Sequence, residues 1–385
     1  MHPDFLLSPD IVFLNHGSFG ACPIPVLERL HAWQRRMESQ PVAHLGRDII
    51  SLMEQARTAL GAYLGAPPND IVFFPNPTTA VNAVMHAMLN ASPGTPLHLR
   101  PDDEILTTDH EYGAMIRTWR YFCKHSGARL VEHPIPLPLT TAEDFVERFW
   151  EGVTPRTRLI FLSHITSQTA LIFPVAEIIR RARRAGILCI IDGAHAPSQI
   201  PLNLGALEPD LYTGALHKWL CAPKGTAFLY ARQEIQPYLD PLVVSWGYES
   251  EMPGPSQFVD YHEWQGTRDM SPFLSVPAAI AYQQAHNWDT VRARCHALAV
   301  QTRDRINTLT GEEALAPSEF IGQMASVRLP PKTHPQTLKT VLWEQYRIEV
   351  PVFSWQEQPF LRVSFQVYNT QADADALVAA LTHIL

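Results

Sequence analysis

The sequence predicts an α/β protein with a mainly parallel, doubly wound sheet and a smaller α+β domain toward its carboxyl end. Between about residues 70 and 230, short apolar runs alternate with amphipathic helices over short connections, as in parallel sheets covered by helices. From about Met270 longer helices and only two strands follow. Because 385 residues suffice for two domains, we expect a large domain over 16–269 and a small domain combining 1–15 with 270–385.

Each element follows from a local pattern. Apolar residues at three- and four-residue spacing predict one helix from Pro25 to about Ala62. Asn76 before Pro77, with an apolar-periodic run to Leu89, predicts a helix capped by the asparagine. The other predicted strands are 104–108, 128–132, 158–163, 187–192, 211–213, 225–230, 325–329 and 361–367, and the other predicted helices are 114–124, about 141–151, 175–185, about 270–309, about 335–346 and a final one.

Composition excludes several classes of function. The net charge of −8 and the absence of a long basic run argue against nucleic-acid binding. No apolar stretch of about 18 residues exists, so we expect no membrane span, and the first residues lack the pattern of a signal peptide. No His-Glu-x-x-His spacing occurs, so no metal site is expected. A cytoplasmic protein without disulfides is predicted by five scattered cysteines: Cys22, Cys123, Cys189, Cys221 and Cys295.

Lys218 and Asp192 together suggest a pyridoxal 5'-phosphate (PLP) enzyme. Asp192 ends an apolar run, and a carboxylate there costs several kcal/mol unless it meets a cation such as a protonated pyridine nitrogen. Lys218 has apolar neighbours, and burial would depress its pKa and make it nucleophilic enough to hold the cofactor as an imine. Each residue alone has an ordinary alternative. Asp192 could cap a helix or bind a metal ion, and Lys218 could extend from an edge strand into solvent.

Two further positions suit anionic groups. The predicted helix start at Asn76 presents free N–H groups, and Thr78 and Thr79 add hydroxyl donors for a phosphate, although they would serve equally for capping alone. Arg362 lies in an alternating strand, facing opposite to its apolar neighbours, and a guanidinium there could pair with a substrate carboxylate. A surface arginine is the alternative.

The chain resembles the class V aminotransferase family of fold-type I PLP enzymes, the group that contains cysteine desulfurases. The resemblance extends from residue 14 to about 370, in the expected order. It is carried by residues 14–20, 76–82, 163–170, 191–197, 212–225, 244–248 and 263–269.

The resemblance implies the PLP-dependent transferase fold type I and a role for each matching residue. Lys218 would hold the cofactor, Asp192 would pair with its pyridinium nitrogen, and Arg362 would bind the substrate carboxylate. Thr267 would reach the phosphate in a neighbouring subunit, which implies a homodimer with shared active sites. His195 would lie near the phenolic oxygen of the cofactor, and His110 would stack on the face of its ring. The phosphate would be bound by Thr78, Thr79 and His217.

The sequence departs from the desulfurases at two places. Ala215 stands where they carry a serine, so we expect Thr213, on the same strand face, to replace that phosphate donor. No cysteine lies between Arg347 and Arg362, where desulfurases need a mobile one. Persulfide chemistry by that route is therefore not expected.

Within the family the chain is most similar to an epimerase-like branch, which implies epimerisation of an amino acid through a Cα carbanion. Lys218 would serve one face of that carbon, and Tyr112 or His110 the other. Asn15, Arg47 and Trp246 are candidates for the substrate pocket. The alternatives are a C–S lyase acting by β-elimination on a cysteine derivative, an aminotransferase, and a non-catalytic PLP-binding protein.

Overall fold

In the computed structural model of the protein, which describes residues 3–385, strands alternate with helices along the chain. The strands are β1 (Val12–Phe13), β2 (Ile71–Phe74), β3 (Glu104–Thr108), β4 (Arg129–His133), β5 (Thr157–Ser163), β6 (Leu188–Asp192), β7 (Leu211–Ala215), β8 (Ala227–Ala231), β9 (Met324–Arg328), β10 (Ile348–Glu349), β11 (Val352–Trp355) and β12 (Gln358–Ser364). The helices are α1 (His16–Phe19), α2 (Ile24–Ser39), α3 (Ile49–Leu64), α4 (Pro77–Asn90), α5 (Gly113–Ser126), α6 (Ala142–Trp150), α7 (Val175–Ala185), α8 (Leu204–Leu207), α9 (Gln257–Glu263), α10 (Ser271–Leu274), α11 (Val276–Ala285), α12 (Trp288–Thr310), α13 (Pro335–Tyr346) and α14 (Gln371–Ile384).

Seven strands form the main sheet, in the order β2-β8-β7-β6-β5-β3-β4. The five strands from β7 to β4 are parallel, which confirms the predicted α/β class. β8 runs antiparallel to both of its neighbours, β7 and β2. The connection 216–226 between β7 and β8 contains no helix, so the chain turns back beside β7 instead of crossing over.

The parallel strands β5, β6 and β7 end at the same edge of this sheet. Ser163, the last residue of β5, is in register with Asp192, and Asp192 is in register with Thr213. In open α/β sheets, ligands bind beyond this edge. The connection that carries Lys218 begins here as well.

Apolar residues fill both faces of the main sheet. Ile71 and Phe73 of β2 pack into one buried cluster, whereas Val72 and Phe74 pack into the other. Because successive side chains of a strand point to opposite faces, a strand covered on both sides is apolar throughout. This explains the continuous apolar runs of the sequence.

A second, antiparallel sheet has the order β11-β12-β9. The amino-terminal segment joins this part of the chain, because β1 pairs with β10 and Asn15 forms a bridge with Ser364. The division at residue 269 stays a prediction, and the first two residues of the expected small domain lie outside the described residues.

Two predicted helices are interrupted. The helix expected over 25–62 ends at Ser39, and a π-helical turn, Ala43–Asp48, precedes α3. The residue before Pro41 is forced out of helical geometry, with Gln40 at φ −156°. The helix expected from 270 to 309 is divided into α10, α11 and α12, with Asn287 in the left-handed region at φ 48°. No helix of residues 3–385 has the length and apolarity needed to cross a membrane.

We expect a buried ion pair to fix the segment that leads from α9 to Thr267. Arg57 of α3 donates to Glu263 of α9, and both side chains are buried. Arg57→Met should lower the free energy of unfolding by about 3–5 kcal/mol, because it removes the cation to which the buried Glu263 carboxyl is hydrogen-bonded. Arg305→Met is the control, since the Arg305–Asp375 pair is exposed and should contribute about 1 kcal/mol or less. Equal losses in denaturant unfolding would contradict this.

Candidate active site

Lys218 lies in the connection between β7 and β8, at the carboxyl edge of the main sheet. Its Nζ is 3.1 Å from Nε2 of His195, and its carbonyl accepts a hydrogen bond from Nε2 of His16 at 3.0 Å. Burial and the positive charge of Arg362 together lower the pKa of Lys218 to about 8, although the carboxylate of Asp192 opposes both effects. A large share of this lysine is therefore a neutral amine near pH 8, the form that attacks a carbonyl.

Asp192 is the last residue of β6, and only 3% of it is exposed. Its Oδ1 accepts a hydrogen bond from the Ala194 N–H at 2.9 Å, and its Oδ2 meets no hydrogen-bond donor within residues 3–385. Burial raises the pKa of this carboxyl, and the nearby Lys218 opposes that rise. A buried carboxylate with one free oxygen suits a cationic N–H donor such as a pyridinium.

His195 contacts Lys218, and its tautomer follows from a second neighbour. Trp219 Nε1 approaches His195 Nδ1 at 3.2 Å, and an indole can only donate. Nδ1 must therefore accept, which leaves the proton of the neutral ring on Nε2, facing the amine of Lys218. Burial holds the pKa of His195 well below its usual range, so the ring stays neutral.

These residues line a cavity of about 160 Å³, called here the Lys218 cavity. Six of the predicted site residues line it: Thr78, Tyr112, Asp192, His195, His217 and Lys218. The structure therefore brings together the lysine, the aspartate and one part of the expected phosphate site.

The amino-terminal end of α4 forms one wall of the Lys218 cavity. Asn76 caps the helix, accepting from the Thr79 N–H at 2.8 Å and from the Thr79 hydroxyl at 3.1 Å. The N–H and hydroxyl of Thr78 have no partner in the described chain. His217 donates from Nδ1 to the Thr226 carbonyl at 2.9 Å, which leaves Nε2 for a ligand. Thr78 and His217 are thus available to an anion, whereas the Thr79 hydroxyl serves the cap.

Arg362 is hydrogen-bonded to two residues that line the same cavity, Ser18 and Ser167, and is only 6% exposed. Its Nη1 donates to the Ser167 carbonyl at 2.6 Å, and its Nη2 to the Ser18 hydroxyl at 3.2 Å. Its Nε is buried without a hydrogen-bond partner, and no carboxylate of residues 3–385 lies within 4 Å of the guanidinium. Burial lowers the pKa of Arg362 to about 10, so it remains a cation that lacks a counter-ion. A carboxylate ligand would supply one.

His110 and Thr213, which were predicted to contact the cofactor, do not line the Lys218 cavity. Both ring nitrogens of His110 are bonded, Nδ1 to the Thr169 hydroxyl and Nε2 to the Ile135 carbonyl, each at 2.9 Å. Its neighbour Tyr112 lines the cavity instead. The hydroxyl of Thr213 donates to the Phe228 carbonyl within the sheet at 2.8 Å, so it is not free to replace the missing serine.

Other predicted residues lie outside the cavity. Asn15 donates to Glu349 at 3.0 Å and accepts from Ser18 at 2.5 Å, so it touches the site only through that serine. The remaining three predicted residues are exposed on the surface of the single chain: Arg47, Trp246 and Thr267.

Several residues of the site were not predicted from the sequence. Ser18 and Ser167 hold Arg362, and His16 holds the lysine loop. Glu111 is buried, accepts from the Thr108 hydroxyl at 2.8 Å and the Ser163 hydroxyl at 2.5 Å, and has its pKa raised to about 7 by burial. All of these except Thr108 and Glu111 lie within the segments that carry the resemblance, but only the fold reveals what each contacts.

Comparison with known proteins agrees with this geometry. The family model described as aminotransferase class-V matches residues 12–377. The isopenicillin N epimerase of Amycolatopsis lactamdurans is 38% identical, covering 98% of this chain and 96% of that protein. A probable chloroplastic L-cysteine desulfhydrase of Arabidopsis thaliana is 27% identical, covering 100% and 87%. A cysteine desulfurase structure from Thermococcus onnurineus superposes with a TM-score of 0.84 at 19% identity, covering 99% and 96%. The chain therefore belongs to the class V aminotransferase family, and it is a PLP-dependent enzyme.

Proposed function

We propose that the protein epimerises the α-carbon of an amino acid, with isopenicillin N as the first substrate to test. The 38% identity to an isopenicillin N epimerase over nearly the full length of both chains supports this reaction. The observation that carries the proposal is that two groups able to carry a proton, the amine of Lys218 and the hydroxyl of Tyr112, line one cavity. Epimerisation needs a proton removed from one face and returned to the other.

The residues of the Lys218 cavity fit PLP. Lys218 would hold its carbonyl carbon, the free oxygen of Asp192 would accept from its pyridinium nitrogen, and His195 would donate from Nε2 near its phenolic oxygen. Thr78, together with the amino-terminal end of α4, would bind its phosphate. When bound, the cofactor withdraws electrons from the α-carbon of the attached amino acid, which makes the α-proton removable.

Arg362 would fix the orientation of the substrate. Its buried Nε and its Nη2 present two parallel N–H donors, the arrangement that a carboxylate accepts. Ser18 and Ser167 hold the guanidinium in place through the hydrogen bonds described above. With the carboxylate fixed, the α-proton is directed toward one face of the cavity.

Lys218 and Tyr112 would then act from opposite faces. The lysine amine, with its pKa near 8, can take or return a proton close to neutral pH. The Tyr112 hydroxyl has no hydrogen-bond partner in the described chain, so it is available to the substrate. Because Tyr112 is half-exposed at the mouth of the cavity, its proton can be replaced from solvent.

A C–S lyase is the second candidate, because the desulfhydrase from Arabidopsis is also similar to this chain. The same lysine, aspartate and arginine would serve β-elimination. No cysteine lines the Lys218 cavity within residues 3–385, and burial raises the pKa of Cys22 and Cys295 to about 12. A lyase built on this site would therefore release sulfur from its substrate without a protein persulfide.

We also propose a cytoplasmic homodimer with shared active sites. Two large apolar side chains stand exposed: Phe19, which lines the Lys218 cavity, is 73% exposed, and Trp246 is 82% exposed. A second copy that covered them would also bring its Thr267 within reach of the phosphate. The five cysteines form no disulfide, which supports a reducing compartment.

The rate at which cofactor-free protein takes up PLP should follow the neutral amine of Lys218. Since its pKa is lowered to about 8, the rate should rise with pH and reach half its maximum near 8. Arg362→Gln removes a positive charge that lowers this pKa, so it should shift the midpoint upward, whereas the remote Arg148→Gln should not. Stopped-flow absorbance measures the rate. A midpoint near that of free lysine would contradict the assigned role.

Isotope exchange in deuterium oxide tests the two-face assignment. The protein should incorporate deuterium at the α-carbon and yield both stereoisomers from either one. Tyr112→Phe should lower inversion by about 10²–10⁴-fold while Lys218 still exchanges the proton of one isomer. Lys218→Ala should abolish both. Formation of pyruvate and sulfide from a cysteine derivative, without exchange-linked inversion, would instead identify a lyase.

The dimer is testable by light scattering. The protein should have twice the 43.3 kDa mass of one chain. Trp246→Asp should shift it toward the monomer and weaken retention of PLP, because a charge is buried in the interface and the second subunit's threonine is lost. Trp343→Asp, a change of another exposed tryptophan, should leave the mass unchanged. A monomer in the unaltered protein would overturn the shared site.

A further inference from the structure

A cleft of about 480 Å³ lies between the end of β4 and the turn of β11 and β12, and we call it the Arg328 cleft. Its volume is within the range of small-molecule sites. One wall is the connection after β4, residues 134–137, and the opposite wall includes Trp355 and Phe360. These walls are largely apolar, so they suit the carbon chain of a ligand.

One loop contributes residues both to this cleft and to the Lys218 cavity. Asp109 lines the cleft and Tyr112 lines the cavity, three residues apart in the connection between β3 and α5. The turn of β11 and β12 closes against that loop, since Gln356 donates to Asp109 at 2.6 Å and the Trp355 ring lies 4.7 Å from the His110 ring. The cleft and the cavity thus lie on either side of the same loop.

Arg328 lies on the same face of the small sheet as Arg362. In the β9–β12 pair, Arg362 is in register with Ser326 and Phe360 with Arg328. Residues two apart in a strand point to the same face, about 7 Å from each other. One guanidinium therefore contacts Ser18 and Ser167 of the Lys218 cavity, and the other lines the Arg328 cleft a short distance along the same surface.

Arg328 has no acidic partner, as no carboxylate of residues 3–385 lies within 4 Å of its guanidinium. The other charged groups of the cleft are Arg148, which is bonded to Asp144 at 2.7 Å, Glu151, which is exposed, and Asp109. Asp109 already accepts from the Ile135 N–H and from Gln356. The cleft therefore offers one half-buried guanidinium that is free for an anion.

We propose that the Arg328 cleft binds the remote end of the substrate, and that Arg328 pairs with a second acidic group there. This rests on the proposed function, in which Arg362 holds the α-carboxylate. The substrate class is then an amino acid with an extended side chain that ends in, or carries, a carboxylate. A guanidinium–carboxylate pair against apolar walls selects such a substrate over its neutral analogues.

Binding of unreactive acids to the holoenzyme tests this without turnover. The probes are the dicarboxylates glutarate, adipate and pimelate, with hexanoate as the monocarboxylate, measured by calorimetry. Arg328→Gln should weaken the best dicarboxylate about ten- to hundredfold and leave hexanoate unchanged. Arg362→Gln should weaken both. Arg148→Gln is the control in the same cleft and should change neither, and Arg328→Lys should recover part of the loss because it keeps the charge.

The outcomes separate this inference from the proposed function. If Arg362→Gln weakens both probes and Arg328→Gln weakens neither, the remote site is wrong while the carboxylate site stands. If no dicarboxylate binds more tightly than hexanoate, the remote site is also wrong. If neither arginine affects any probe, the assignment of Arg362 fails as well. Melting temperatures of the variants show whether each one is folded.

Discussion

The site depends on a buried acid and a buried amine that line one cavity without satisfying each other. Burial raises the pKa of Asp192 and lowers that of Lys218, so each is costly in its charged form. A cofactor with a pyridinium nitrogen and an aldehyde relieves both costs, because it gives the carboxylate a cation and the amine a bonding partner. The central residues of the site are therefore explained by binding of PLP, whichever amino acid is the substrate.

The fold supports this arrangement from three directions. Parallel strands place Ser163 and Asp192 at one edge, and the turn back into β8 places Lys218 there too. The amino-terminal segment packs on the lysine loop through His16 and Gly20. At Gly20 the backbone has φ 71°, and a side chain there would meet the His217 carbonyl at 2.0 Å, so only glycine allows this close approach.

Much of this architecture could be predicted from the sequence, and the failures have physical causes. The apolar runs predicted the parallel sheet because both of its faces are covered, and Asn76 before Pro77 predicted α4 because capping is local. The long helices predicted over 25–62 and 270–309 were wrong, because the helical backbone is interrupted at Pro41 and at Asn287. Strands as short as β1 and β10 have no periodicity to detect. The alternation of side chains along a strand correctly predicted the orientation of Arg362. No such local rule tells which residue of a loop faces a cavity, so the sequence could not show that Tyr112 lines the cavity and His110 does not.

The most direct test of the central claim is to locate the residue that carries the cofactor. Reduction of the coloured protein with borohydride, followed by peptide mass spectrometry, should place a pyridoxyl group on Lys218 and on no other lysine. Asp192→Asn should weaken cofactor retention while leaving that attachment point unchanged. Protein that purifies colourless and does not bind added PLP, or that carries the label on another lysine such as Lys224, would contradict the account.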